Sequence, residues 1–130
     1  MEGQPVLPDT SVWIEHFKGK TDIIERLFID DTVTIVTHPF VVTELVLGGL
    51  KEDDPKYHQL NQQVMLKVIA DDNLQIFISD NSLSCKGVGY VDCSLLASCV
   101  NNGATMVTLD KKLAEVAKLC GVLWHPMPHS

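Results

Sequence analysis

Short β-branched runs alternate along this chain with stretches whose apolar residues recur at helical spacing, the pattern of β–α units wound into a parallel sheet. Val6-Leu7-Pro8-Asp9 reads as a first strand, with Pro8 at its end because proline cannot donate to a ladder. Thr10 to Phe17 predicts a helical segment. A second begins at Thr21, a cap-like residue, and places Ile23, Ile24 and Leu27 on one face. Thr32 to Val36 is a β-branched run and the second strand. Thr37-His38-Pro39 then opens a helix, proline being well suited to a first helical turn. That helix carries Val41, Val42, Leu45 and Val46 and stops at Gly48-Gly49.

Asp54-Pro55 opens another helix, expected to run through Leu60 to about Val64, and Met65 to Ala70 predicts a third strand. Asp71-Asp72 can cap the next segment, in which Leu74, Phe77 and Ile78 fit a helix while Leu74, Ile76 and Ile78 alternate as in a strand. Lys86 to Gly89 is a loop. Val91 to Val100 predicts a helix stopped by Asn102-Gly103, and Thr105 to Thr108 the fourth strand. Lys111 to Leu119 is a helix closed by Gly121, Val122 to Trp124 a short last strand, and His125 to Ser130 a mobile tail. No internal repeat, low-complexity segment or linker interrupts this order.

Size and composition narrow the class. At 130 residues the chain is expected to form one domain, with 45% hydrophobic and 21% charged residues, ordinary values for a soluble globular protein. Its longest apolar stretches fall far short of the ~20 residues a membrane span needs, and Met-Glu-Gly-Gln-Pro has neither the basic region nor the apolar core of a signal peptide. Cys85, Cys93, Cys99 and Cys120 form no Cys-x-x-Cys pair and read as reduced thiols in a cytoplasmic protein. The formal charge of −7 argues against non-specific nucleic-acid binding, which uses a basic surface. It favours a basic partner over an acidic cleft.

Four acids stand apart from the other acidic residues by context. Asp9 and Asp110 each follow an apolar strand directly, so right-handed crossovers bring them to the sheet edge where ligands bind. Asp92 sits at a helix start, where the dipole stabilises a carboxylate. Glu44 lies about one turn into the helix after the second strand, among Val41, Val42, Leu45 and Val46. Taken singly, each has an ordinary alternative: turn former or helix cap for the aspartates, exposed helix face for Glu44. Asp30-Asp31, Asp53-Asp54 and Asp71-Asp72 read as turns and caps, and the five histidines show no metal-ligand spacing. Together, four carboxylates would repel one another without a cation. Magnesium and manganese want such hard oxygen ligands, and two divalent ions would offset these four charges.

These segments, in order, resemble the PIN-domain ribonucleases, and within them the VapC-type toxins. The matching pieces are Leu-Pro-Asp-Thr-Ser-Val-Trp-Ile at residues 7–14, Val-Thr-Glu-Leu-Val-Leu-Gly at 42–48, Lys86 to Asp92 with Leu95-Leu96-Ala97-Ser98, and Thr-Leu-Asp-Lys-Lys-Leu at 108–113. The similarity runs from Val6 to about Val122. It implies a three-layer αβα sandwich with a central parallel sheet, and RNA cleavage by water activated on Mg2+ or Mn2+. It also favours a helix at Asn73 to Asn81. Asp9, Glu44, Asp92 and Asp110 would form the acidic cluster, the aspartates as direct ligands and Glu44 as ligand or water-positioning group. Thr10 and Thr108, and least of all Ser11, would hold a water or a neighbouring carboxylate. Lys86, Lys111 and Lys112 could contact RNA phosphates or be solvated surface residues. Cys85 and Cys93 replace small residues common at these positions.

The resemblance further implies a VapB-like antitoxin that neutralises the enzyme, and a homodimer is the expected assembly. An apolar face near Trp13, Ile14, Phe17, Ile24 and Phe28 could receive an antitoxin helix, although at least half of these residues are expected in the core. Rival readings are weaker. A haloacid-dehalogenase-type phosphatase needs a second Asp where Ser11 stands, and a receiver-type phosphoacceptor domain needs an acidic neighbour that Asp9 lacks. A PIN-fold RNA-processing nuclease outside a toxin–antitoxin pair, or a non-catalytic PIN scaffold, is the remaining alternative; a scaffold would be expected to lose acids that this chain keeps.

Overall fold

The computed structural model describes residues 3–125, so the tail expected to be mobile lies, beyond His125, outside the described residues. Its elements are β1 (Gln4–Pro8), α1 (Thr10–Phe17), α2 (Ile23–Ile29), β2 (Val33–Thr37), α3 (Pro39–Leu47), α4 (Pro55–Asn61), β3 (Val64–Met65), α5 (Asp71–Asp80), α6 (Tyr90–Asn102), β4 (Thr105–Val107) and α7 (Lys111–Leu119). The four strands form one all-parallel sheet in the order β3-β2-β1-β4. The chain therefore winds outward from β1 to β3, then crosses back to place β4 on the other side of β1. Right-handed crossovers put the helices of the two halves on opposite faces. In agreement, α1 packs on α2 and α3, while α5 packs on α6. The αβα architecture and its parallel sheet are those the sequence implied.

The core lies on both sides of β1, whose Val6 and Leu7 are fully buried, and includes Trp13, Ile24, Leu27, Leu96 and Met106. Burying each such aliphatic or aromatic side chain is worth about 1.5–3 kcal/mol, which is why the central strand reads as continuously apolar. Among the described residues, no helix is long and apolar enough to cross a membrane.

Most boundaries shift by one or two residues from the sequence reading, and three segments differ in a way that has a structural reason. The third strand covers only Val64–Met65 rather than Met65 to Ala70, and α4 stops at Asn61 rather than near Val64. The reason lies in the neighbour. β2 ends at Thr37, whose carbonyl accepts the last bond from Leu66 N–H at 2.8 Å, and beyond it His38-Pro39 turns into α3. Residues past Leu66 have no strand left to pair with. Similarly, Val122 to Trp124 makes one isolated parallel bridge, Met106 to Leu123, instead of a strand, because three-residue β4 presents so little edge. Residues 71–80 form a helix, resolving the ambiguous pattern. Asp71 and Asp72 sit in its first turn, and neither is its cap.

Candidate active site

The three candidate aspartates are placed by a helix start or by the strand that precedes one, and Glu44 lies further along α3. β1 and β4 are adjacent, and the direction of winding reverses between them, so the crevice at their carboxyl ends is the switch point of the sheet. Asp9 follows β1 and caps α1, accepting from Val12 N–H at 3.3 Å. Asp110 follows β4 and caps α7, its Oδ1 accepting from Lys112 N–H at 2.9 Å and Leu113 N–H at 3.2 Å. Capping and site placement coincide here, so the two readings of these aspartates do not compete. Asp92 lies in the first turn of α6, where Gly89 N–H donates to it, the acid half of a capping box. Glu44, half-buried on α3, accepts at Oε1 from Thr10 Oγ1 at 2.7 Å.

The strand ends are cross-tied through Asp9, which is only 6% exposed. Ser11 Oγ donates to its Oδ1 and Thr108 Oγ1 to its Oδ2, each at 2.5 Å. The same hydroxyls accept from the backbone, Ser11 from Leu109 N–H across the strand ends at 3.0 Å and Thr108 from its own segment's Asp110 N–H at 3.1 Å. Asp9 N–H closes the junction by donating to Val107 carbonyl at 3.0 Å. Ser11, the least favoured of the three hydroxyls on sequence grounds, thus binds Asp9 as closely as Thr108 does. Its position two residues after Asp9 was the signal: Ser and Thr at that offset readily bond a local carboxylate or backbone group.

Electrostatics brings the four acids into one set. Burial raises the pKa of Asp9 above the ordinary aspartate range, against the lowering effect of its hydrogen bonds from Ser11, Thr108 and Val12. The Asp92 pKa is also raised, first by burial and then by the negative charges of Asp9, Asp110 and Glu44. Among the described residues the four carboxylates form no ion pair with lysine or arginine. Such a set stores repulsion that a divalent cation relieves, and its donors are all hard oxygens, which fit Mg2+ or Mn2+. Among the described residues no three acidic, histidine or cysteine side chains are drawn together as a ready-made cage. Magnesium does not require one, because it usually keeps several waters and takes one or two carboxylates.

Lys86, Lys111 and Lys112 are all exposed. Lys112 lies over the loop before α6, where a Cβ on Gly87 would meet its Cδ at 2.7 Å and its Nζ at 2.9 Å. Gly87, with φ of +79°, leaves that space and the left-handed turn that the loop needs. Beside Asp110 and Ser11, Ile14, Glu15 and Leu109 line an open cavity of about 620 Å³.

Of the residues proposed for an apolar partner face, Trp13 and Ile24 are fully buried and cannot receive a partner. Phe17 is half-buried against the core, and Ile14 and Phe28 are exposed. Periodicity could not separate the two sides because α1 is apolar on more than one face. His38, which has no role on sequence grounds, is fully buried at the cap of α3. Its Nδ1 accepts from Phe40 N–H at 3.0 Å, and its Nε2 lies 3.1 Å from Ser98 Oγ, which donates to Lys67 carbonyl at 2.9 Å.

Comparison with known proteins adds an independent line. The family model for the PIN domain matches residues 6–119. The chain is 34% identical over 118 residues to "Ribonuclease VapC32" of Mycobacterium tuberculosis, in strains CDC 1551 / Oshkosh and ATCC 25618 / H37Rv alike, covering 90% of this chain and 94% of that protein. Its fold is similar to the crystal structure of PAE2754 from Pyrobaculum aerophilum, with a TM-score of 0.52 and 12% identity over 89% of this chain and 87% of the other.

Proposed function

From the premise that this chain belongs to the PIN-domain family, among its VapC-type members, we propose that it is a divalent-metal-dependent endoribonuclease acting as a VapC-like toxin. What supports this reading is the position of Asp9 and Asp110 after adjacent strands at the sheet switch point, with Asp92 near enough to feel their charges and that of Glu44. Asp9, Asp92 and Asp110 would hold Mg2+ or Mn2+, with Glu44 as a further ligand or as the group that orients the attacking water. The bound ion supplies Lewis-acid stabilisation of phosphate oxygens and a more acidic water.

The chain's own groups do the rest. Ser11 and Thr108 keep Asp9 oriented through both oxygens, and Thr10 does the same for one oxygen of Glu44. Asp110 uses one oxygen to cap α7, leaving Oδ2 for a ligand. Lys86, Lys111 and Lys112 would meet RNA phosphates, positioning the strand without reading its bases.

Neutralisation by a VapB-like antitoxin belongs to the same reading. The exposed Ile14 and Leu109 border the acids, so an apolar segment seated there could extend a basic side chain into the cluster. The enzyme would work in the cytoplasm as a homodimer, with residues 1–130 forming one nuclease domain.

Asp9→Asn tests the central claim, since it preserves shape while removing one charge. RNA cleavage in Mg2+ should fall by roughly a hundredfold or more, beyond what loss of a mere supporting group costs, with the circular dichroism spectrum unchanged. Undiminished cleavage in Mg2+ or Mn2+ rules out its ligand role.

A further inference from the structure

An aromatic pair joins α3 to the first residue of α6. On α3, Phe40 precedes Glu44 by four residues, so the two share a helix face. On α6, Tyr90 opens the helix two residues before Asp92. The Phe40 and Tyr90 rings lie 6.2 Å apart between centroids with an interplanar angle of 34°, and the His38 ring backs Phe40 at 5.1 Å. Tyr90 is nevertheless 54% exposed. Its hydroxyl donates to Asp71 Oδ1 at 2.5 Å, from the first residue of α5. An exposed aromatic ring is thus fixed at its tip by a carboxylate and beside it by Phe40, which lies one helical turn from Glu44.

We propose that Tyr90, backed by Phe40, stacks a nucleobase adjoining the phosphate held by the carboxylates, so that the site selects RNA with an unpaired, splayed-out base at that position. The inference rests on the ribonuclease reading of the same site. Bases inside a duplex are already stacked on their neighbours, whereas an unpaired base offers its face to an aromatic side chain. Fixing the ring beforehand reduces the ordering that binding must impose. The net charge of −7 is consistent with this, because a chain without a net basic surface gains from a source of affinity besides the phosphate contacts of a few lysines.

Cleavage of a short unstructured RNA is compared with that of the same RNA lacking the base beside the cleavage point. Tyr90→Ala should raise KM on the intact RNA roughly tenfold to a hundredfold, the range for one lost aromatic stack, leaving kcat nearly unchanged. Tyr90→Phe and Tyr90→Trp should keep most affinity. The wild-type chain should lose the same factor on the abasic RNA, which Tyr90→Ala then binds no worse. Emission from Tyr90→Trp, corrected for the wild-type tryptophans, should be quenched by the single strand and not by its duplex.

Equal KM for wild type and Tyr90→Ala, or an equal loss for Tyr90→Phe and Tyr90→Ala, overturns the stacking role and leaves the ribonuclease reading standing. If Tyr90→Ala does not fold, indifference of the wild type to the missing base overturns it as well. Absence of cleavage by the wild type in either metal defeats the ribonuclease reading instead, and the Tyr90→Trp quenching then decides whether the ring meets a base.

Discussion

Asp110 carries two separable duties within one side chain. One is local, the cap on α7 through Oδ1; the other is its negative charge beside Asp92. Serine caps about as well as aspartate, while alanine in its place costs about 1 kcal/mol. Asp110→Ser should therefore melt within about 2 °C of the wild type, whereas Asp110→Ala should melt several degrees lower. Both should lose RNA cleavage by about a hundredfold or more if the charge binds metal. Thermal scans beside a cleavage assay check this, and an active Asp110→Ser would reduce the residue to a cap. The aspartates were legible in the sequence because each directly follows an apolar run or opens a helix. Ser11 was underrated and Gly87 passed over because their importance lies in contacts across the sheet edge. Local spacing gives no view of Leu109 N–H bonding Ser11 or of Lys112 crossing Gly87.

At the scale of elements, α3 is fastened to α6 through His38, and burial pushes the His38 pKa down to about 4. The lowered value means that the fold prefers the neutral ring. Its contribution is present above the unfolded value of about 6.5 and is lost as pH falls through about 4, an amount on the order of 3 kcal/mol. Asp9 and Asp92, with raised values, work in the opposite direction and gain stability as they become protonated. Urea midpoints taken between pH 7 and pH 4 on the wild type and on His38→Gln separate these contributions. The wild type should lose the His38 share across that window, and the difference between the two proteins should shrink as the pH falls. A constant difference would show that His38 does not titrate with folding. The elements themselves were mostly visible as apolar periodicity and cap residues. Those misjudged were β3 and the segment around Leu123, where length depends on how much neighbouring strand remains to be paired, a property of the sheet and not of the segment.

For the whole molecule, the proposed carboxylate site would set stability against function. Burial first, and then the charges of Asp9, Asp110 and Glu44, hold the Asp92 carboxyl above the ordinary aspartate range. A ligand that binds only the folded state stabilises it by mass action, by about 2.7 kcal/mol at a hundred times its Kd. Titrating Mg2+ or Mn2+ at neutral pH should raise Tm by several degrees, and a chelator should reverse the rise and stop RNA cleavage. The rise should be blunted in Asp9→Asn. A Tm indifferent to either metal up to millimolar concentration would remove the premise of metal binding. The fold class, by contrast, depended on no such detail: alternating strand and helix patterns already imply a parallel sheet, and the order β3-β2-β1-β4 then brings Asp9 and Asp110 to one crevice.

That strand order also has a consequence in time. A ribosome delivers β1 first and β4 almost last, so the inner edge of β1 stays unclaimed while most of the chain is being made. Until Thr108 and Asp110 emerge, Asp9 lacks the partner that fixes Oδ2, and Asp92 lacks one of its three negative neighbours. The nascent chain therefore cannot assemble its crevice piecemeal. Synthesis itself delays the moment at which the cluster, and any cleavage that depends on it, comes into being.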